Sequence, residues 1–215
     1  MVIARDVDQV LMHAVDAGVV PGVVALAADD SGVVYAGAFG VRQTGTSDTM
    51  RLDTVMWLAS MTKAVTSVAV MQLVEQGRIG LDEPLSAHVP ELTAVQVLEG
   101  FDDAGIPRLR RPRLPLTLRH LLTNTEGFTY DDANDDLLRY RDYAGIPPFD
   151  ELKKACLAVP LVCDPGDRWE YGISLDWVGQ LVERLGGHSL DDYFRQHILD
   201  PLGMHDTGFG LRPDQ

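Results

Sequence analysis

Apolar positions along this chain fall into a few distinct spacings, and each spacing predicts an element. Val7, Val10, Leu11, Ala14 and Val15 recur at helical intervals, predicting a helix over 5–17 with Gly18 as its stop. GVVALAA (22–28) and VVYAGAFGV (33–41) are β-type runs separated by Asp29-Asp30-Ser31-Gly32, which is strong turn chemistry. Together they predict an antiparallel hairpin. A helix is then expected over 60–76. Ala59, Ala64, Val65, Val68, Ala69, Met71, Leu73 and Val74 leave it hardly any polar face before Glu75. A helix apolar nearly all round is expected to be buried in the middle of a fold.

From Leu81 onward the pattern changes to loops and short helices punctuated by proline. LTLRHLLTNT (116–125) reads as a short helix. Residues 173–185 read as an amphipathic one, with Leu175, Val178, Leu181, Val182 and Leu185 on one face and Gly186-Gly187 ending it. Ser189-Leu190-Asp191-Asp192 opens a further helix in the manner of a capping box. The order of elements predicts an α+β fold. Residues 1–80 would be the N-terminal part of a sheet domain, and 81–215 a mainly helical region.

Charge narrows the partners. With 18 Lys and Arg against 32 Asp and Glu, the net charge is −14. That balance argues against nucleic acid and anionic membrane, which need concentrated cations. The one basic tract, Arg108 to Arg113, reads as a solvated or salt-bridged connector. Asp6 and Asp8 stand where a signal peptide needs a basic start, and no apolar run is long enough to span a bilayer, so a cytoplasmic location is expected. Cys156 and Cys163 are too few for a disulfide scaffold and read as reduced, buried thiols. The six histidines form no H-x-x-x-H pair, the Asp131–Asp136 stretch lacks the calcium-loop glycine and glutamate, and no phosphate-binding glycine pattern occurs. No metal or other cofactor is expected.

Chemistry concentrates in WLASMTKAVT (57–66). Ser60 and Lys63 lie three apart, one helical turn on the same face, so hydroxyl and amine can meet. A serine becomes a nucleophile when a neighbouring base takes its proton, and a lysine made neutral by burial is a candidate base. A helix N-terminus favours the negative charge that develops on an acyl oxygen. The alternative is a serine that caps the helix beside a snorkelling lysine.

WLASMTKAVTSVAVMQLVEQGRIGLDEPL resembles the first motif of the serine β-lactamase and penicillin-binding-protein superfamily. LRHLLTNTEGF and PGDRWEYGISLDWVGQLVERLGGHSLDDYFRQHILDPLGMHDTGF resemble later parts of the same proteins. The likeness runs from about Gly22 to Phe209 and is strongest to the family VIII carboxylesterases, relatives of class C β-lactamases. It implies a β-lactamase/transpeptidase-like fold and a serine hydrolase of small carboxylic esters acting through an acyl-serine intermediate. Ser60 would be the nucleophile, with Lys63 and Tyr171 moving protons. Tyr130 is a candidate wall of the acyl pocket. Two further readings are a β-lactamase or D-alanyl-D-alanine carboxypeptidase, and an inactive fragment serving as a binding or regulatory module. Ile173 stands where lactam-processing relatives carry asparagine, which favours simple esters. The superfamily's frequent T-H-T-S/A-G stretch stands here as Thr123-Asn124-Thr125-Glu126-Gly127, and most of that loop reads as structural. The third motif of the family, K-T-G or an equivalent on a later strand, is not found. The resemblance therefore implies a C-terminally truncated fold lacking those strands. Activity would then need a complementing C-terminal chain to supply the rest, and the exposed strand edge would invite self-association.

Overall fold

The computed structural model describes residues 2–211. Two compact units are present, meeting in sequence at Trp57 and Leu58. In the first, helix α1 (Val2–Asp16) precedes strands β1 (Gly22–Asp29) and β2 (Gly32–Gly40). The expected hairpin is there, antiparallel, with Gly22 opposite Gly40 and Asp29 opposite Gly32 and a one-residue register shift between Ala27 and Ala28. Its turn is tied by Asp29, whose Oδ1 accepts from the Ser31 amide and hydroxyl at 2.8 and 2.6 Å. The helix is fastened to the hairpin where Tyr35 donates to Asp8 at 2.7 Å. Among the described residues the hairpin pairs with no third strand.

The second unit is built around two helices, α2 (Thr62–Glu75) and α5 (Ser174–Gly186), packed against each other. Ala69, Val70 and Leu73 of α2 and Val178, Leu181 and Val182 of α5 are almost fully buried and share one core. Each valine and leucine among them contributes roughly 1.5–3 kcal/mol through apolar burial. Helix α5 is amphipathic as expected, and it ends where Gly187 takes a left-handed conformation. Helix α6 (Leu190–Phe194) starts at Ser189, whose hydroxyl accepts from the Asp192 amide at 3.1 Å.

Three features differ from the reading above. Helix α2 is not buried all round: Val68 and Met71 are 49% and 40% exposed, and one face, with Thr66, Ala69, Val70 and Leu73 buried and Val65 and Val74 beside them, meets the core. The region after Leu81 also holds a second antiparallel hairpin, β3 (Val97–Phe101) and β4 (Pro107–Arg110). Its short strands, one of them rich in arginine, hide the period-two signal. Electrostatics fix it instead. Arg110 grips Asp164 at 2.9 and 2.7 Å, and the Arg113 amide donates to the same carboxylate at 2.8 Å. Finally, a helix α4 (Asp135–Ala144) starts at the end of the acidic stretch, capped by Asn134 accepting from the Leu137 amide at 2.9 Å. Between the hairpin and α4 runs α3 (Leu118–Thr123), within the span expected to be helical. The two cysteines are free and buried. Arg212–Gln215 of the expected helical region lie outside the described residues.

Candidate active site

Ser60 sits in a single 3-10 turn, Ala59–Met61, that runs straight into α2. No side-chain cap bond closes either helical start, so Ser60 is not spent on capping. Ala59 holds a φ of +45°, a left-handed conformation that costs a residue with a Cβ about 1–3 kcal/mol. Lys63 follows on the first turn of α2, and its Nζ donates to Ser60 Oγ at 3.1 Å. The three-residue spacing therefore brings the two groups together as expected.

The same amine reaches Tyr130 OH at 3.3 Å. Tyr171 completes the group. Lys63 Nζ stands 4.8 Å from the Tyr171 ring centroid, and the phenol of Tyr171 is hydrogen-bonded to both Ser60 and Lys63. The two tyrosine rings meet edge to face with centroids 5.6 Å apart. Phe149 braces Tyr130 from another side at 5.1 Å, and the exposed Trp169 stacks on Tyr171 at 5.9 Å. Tyr130 is thus placed on the lysine as well as in an aromatic wall.

Backbone crossing explains why residues so distant in sequence converge. Asn124, in a left-handed conformation, ends α3, and its carbonyl accepts from the Glu170 amide at 2.8 Å. Thr125 O accepts from Gly166 N at 2.7 Å, and Thr129 Oγ1 donates to Tyr171 O at 3.3 Å. These bonds lay the strip before Tyr130 alongside the strip that carries Tyr171. Gly172 allows the crossing to be tight: a Cβ there would lie 2.5 Å from Thr129 Cα. Gly127 is equally confined, with φ +100° and only 2.4 Å between an added Cβ and Cys163 O. Arg141, buried on α4, pairs with Asp131 and fixes the turn that follows Tyr130.

Electrostatics divide the three titrating groups. Burial works against the charge on Lys63, but hydrogen bonds to Tyr171 and Tyr130 outweigh it, and its pKa lies above the ordinary lysine value. Lys63 is therefore an ammonium, not the neutral base that burial alone suggests. Hydrogen bonds from Ser60 and Lys63 pull the Tyr171 pKa down, which makes its phenolate easier to form than that of an ordinary tyrosine. Burial pushes the Tyr130 pKa up, against the opposing pull of Lys63. Asp176, on the first turn of α5, adds a carboxylate whose pKa is raised by burial, with Lys63 pulling the other way. A phenolate beside a serine hydroxyl can accept, hold and return one proton while the serine attacks a carbonyl, and the neighbouring ammonium steadies the charge on both.

Two residues beneath the site carry signals that spacing did not show. Glu126 is fully buried, one oxygen accepting from Ser174 Oγ and the other, Oε2, without a partner. Burial pushes its pKa up to about 7. In the sequence, the loop that carries it reads as structural and its glutamate goes unmarked, although that residue stands where the superfamily stretch has Ser or Ala. Ile173, 2% exposed, points into the core and does not face a substrate, and the Ser174 beside it is taken by Glu126.

The Beta-lactamase family model matches residues 7–215. Monacolin J acid methylbutanoyltransferase of Aspergillus terreus is 41% identical over 204 residues, 91% of this chain and 49% of that protein. Lovastatin esterase of Penicillium rubens is 38% identical over 207 residues, 94% of this chain and 52% of the relative. The unliganded simvastatin synthase (LovD) of Aspergillus terreus superposes with a TM-score of 0.88 at 38% identity, covering 98% of this chain and 56% of that one. This chain spans about half the length of the curated relatives it matches. Among the described residues no helix is long and apolar enough to cross a membrane.

Proposed function

This chain belongs to the Beta-lactamase family, and from that premise we propose that it carries the acyl-transfer centre of a serine enzyme acting on carboxylic esters. Ser60 attacks the ester carbonyl as Tyr171 takes its proton, and Lys63 holds the phenolate and steadies the charge that develops. The acyl-Ser60 intermediate then passes its acyl group to water or to a second alcohol. The carrying observation is the single amine of Lys63 bonded at once to Ser60 Oγ, 3.1 Å away, and to the phenols around it.

Relatives named as a methylbutanoyltransferase and as an esterase support an acyl group of a few carbons and leave the acceptor as the variable. A lactam-processing role has less support, because the position that would hold a lactam amide is filled by the buried Ile173. Intact mass spectrometry after incubation with a fluorophosphonate tests the reading. A single adduct on the 215-residue chain, absent in Ser60→Ala, is expected. Folded protein that takes no adduct would overturn it.

A further inference from the structure

We propose that Tyr130 is a second proton-transfer residue of this site, the one that delivers a proton to the departing alkoxide while Tyr171 takes the proton of Ser60. The proposal rests on the reading of Ser60 as an acylated nucleophile and goes beyond it by separating acid from base.

The geometry supplies the division. Lys63 Nζ binds Ser60 Oγ at 3.1 Å and Tyr130 OH at 3.3 Å, so the lysine links the nucleophile to a second phenol. Tyr171 reaches the same lysine and the serine. The phenol of Tyr130 accepts from Lys63, which leaves its own O–H free to donate. Its ring is held by Phe149 at 5.1 Å and by the edge of Tyr171 at 5.6 Å, so the hydroxyl cannot swing away. The two phenols are also driven apart electrostatically, Tyr171 downward by its hydrogen bonds and Tyr130 upward by burial. Paired groups whose environments split them in this way take the base and acid roles respectively.

The step closes without an outside reagent. The Ser60 O–H proton moves to the Tyr171 phenolate as the Oγ–carbonyl carbon bond forms. When the carbon–alkoxide bond breaks, the alkoxide takes the Tyr130 O–H proton and leaves as an alcohol. The Tyr130 phenolate regains a proton from the Lys63 ammonium, and the Lys63 amine regains one from the Tyr171 phenol. Ester and serine become acyl-serine and alcohol, and all three groups return to their starting protonation.

Leaving-group dependence separates this role from a wall or a structural support. An alkoxide needs a proton to depart, whereas p-nitrophenolate departs nearly unaided. Acylation of Ser60 would be followed by intact mass for an ethyl and a p-nitrophenyl ester of the same short acid, in the wild-type chain, Tyr130→Phe and Tyr171→Phe. Tyr130→Phe is expected to slow acylation by the ethyl ester about 10²–10⁴-fold, the usual worth of a general acid. Its loss on the p-nitrophenyl ester should be at least tenfold smaller, while Tyr171→Phe slows both alike. Equal losses in Tyr130→Phe on the two esters would overturn the proposal, as would failure of the wild-type chain to be acylated by the ethyl ester. The fluorophosphonate adduct keeps the two readings apart. Its absence from wild type refutes the nucleophile itself, whereas its presence with equal losses refutes only Tyr130.

Discussion

Replacing Glu126 with glutamine isolates the cost of one buried carboxylate. The side chain has no exposure, its Oε2 has no partner, and its pKa rises from the ordinary 4.5 to about 7. Desolvation is the main cause, opposed by the hydroxyl of Ser174 and by backbone amides, and reinforced by the Glu170 carboxylate. At about 1.4 kcal/mol per pH unit, that rise corresponds to about 3 kcal/mol. The folded pKa is the higher one, so the folded state holds the proton more tightly than the unfolded chain does. Stability from this group is therefore full below about pH 4.5, falls as pH rises, and is lost by about pH 7. Urea unfolding, followed by the fluorescence of the buried Trp177, would be measured from pH 4.5 to 8. Glu126→Gln should start less stable than wild type, since its amide leaves a buried donor unmet at a cost of about 1–3 kcal/mol. The difference between the proteins should then shift by about 3 kcal/mol in favour of the variant across that range. Asp176 and the paired surface carboxylates titrate in both proteins and cancel in the difference. Parallel curves would refute the argument.

Asp164, 2% exposed between Arg110 and Arg113, should lose about 3 kcal/mol of unfolding free energy as Asp164→Asn, toward the low end for a broken buried pair because both guanidiniums keep some water. Urea titration checks it. Asn134→Ala removes the cap of α4 and should cost about 1 kcal/mol by the same assay. Gly172→Ala forces a Cβ onto Thr129 and should separate the Tyr130 and Tyr171 strips, seen as at least about a tenfold slower fluorophosphonate reaction in protein that still folds. Because the Tyr171 pKa is lowered and the phenolate is the active form, the rate of Ser60 labelling should climb with pH and level off below pH 10, a plateau that Tyr171→Phe abolishes.

Features set by neighbours in sequence were legible in it. The first hairpin follows from β-type runs flanking an Asp-Asp-Ser-Gly turn, α5 from a clean apolar stripe, the start of α6 from Ser189, and the Ser60–Lys63 contact from one turn of helix. Features set by distant groups were not. The β3–β4 hairpin depends on Asp164 pairing with arginines that read as a solvated or salt-bridged connector, with no strand foreseen and no partner named. The burial of Glu126 depends on Ser174 arriving from another segment. The protonation of Lys63 shows the same limit. Burial, which the apolar run foretells, lowers its pKa, but two phenols brought in by the chain crossing reverse the sign.

That crossing also bears on how the molecule reaches its native state. Lys63 and Tyr130 are 67 residues apart in the chain, and Tyr171 lies further along still. The contacts of Lys63 with the two phenols cannot form until loops of at least that length have closed, and such non-local pairings come late and slowly in folding. A covalent probe of Ser60 would therefore serve as a clock for this unit. It should remain silent while helices α2 and α5 are only separately formed, and register reactivity once the last long-range strip has docked.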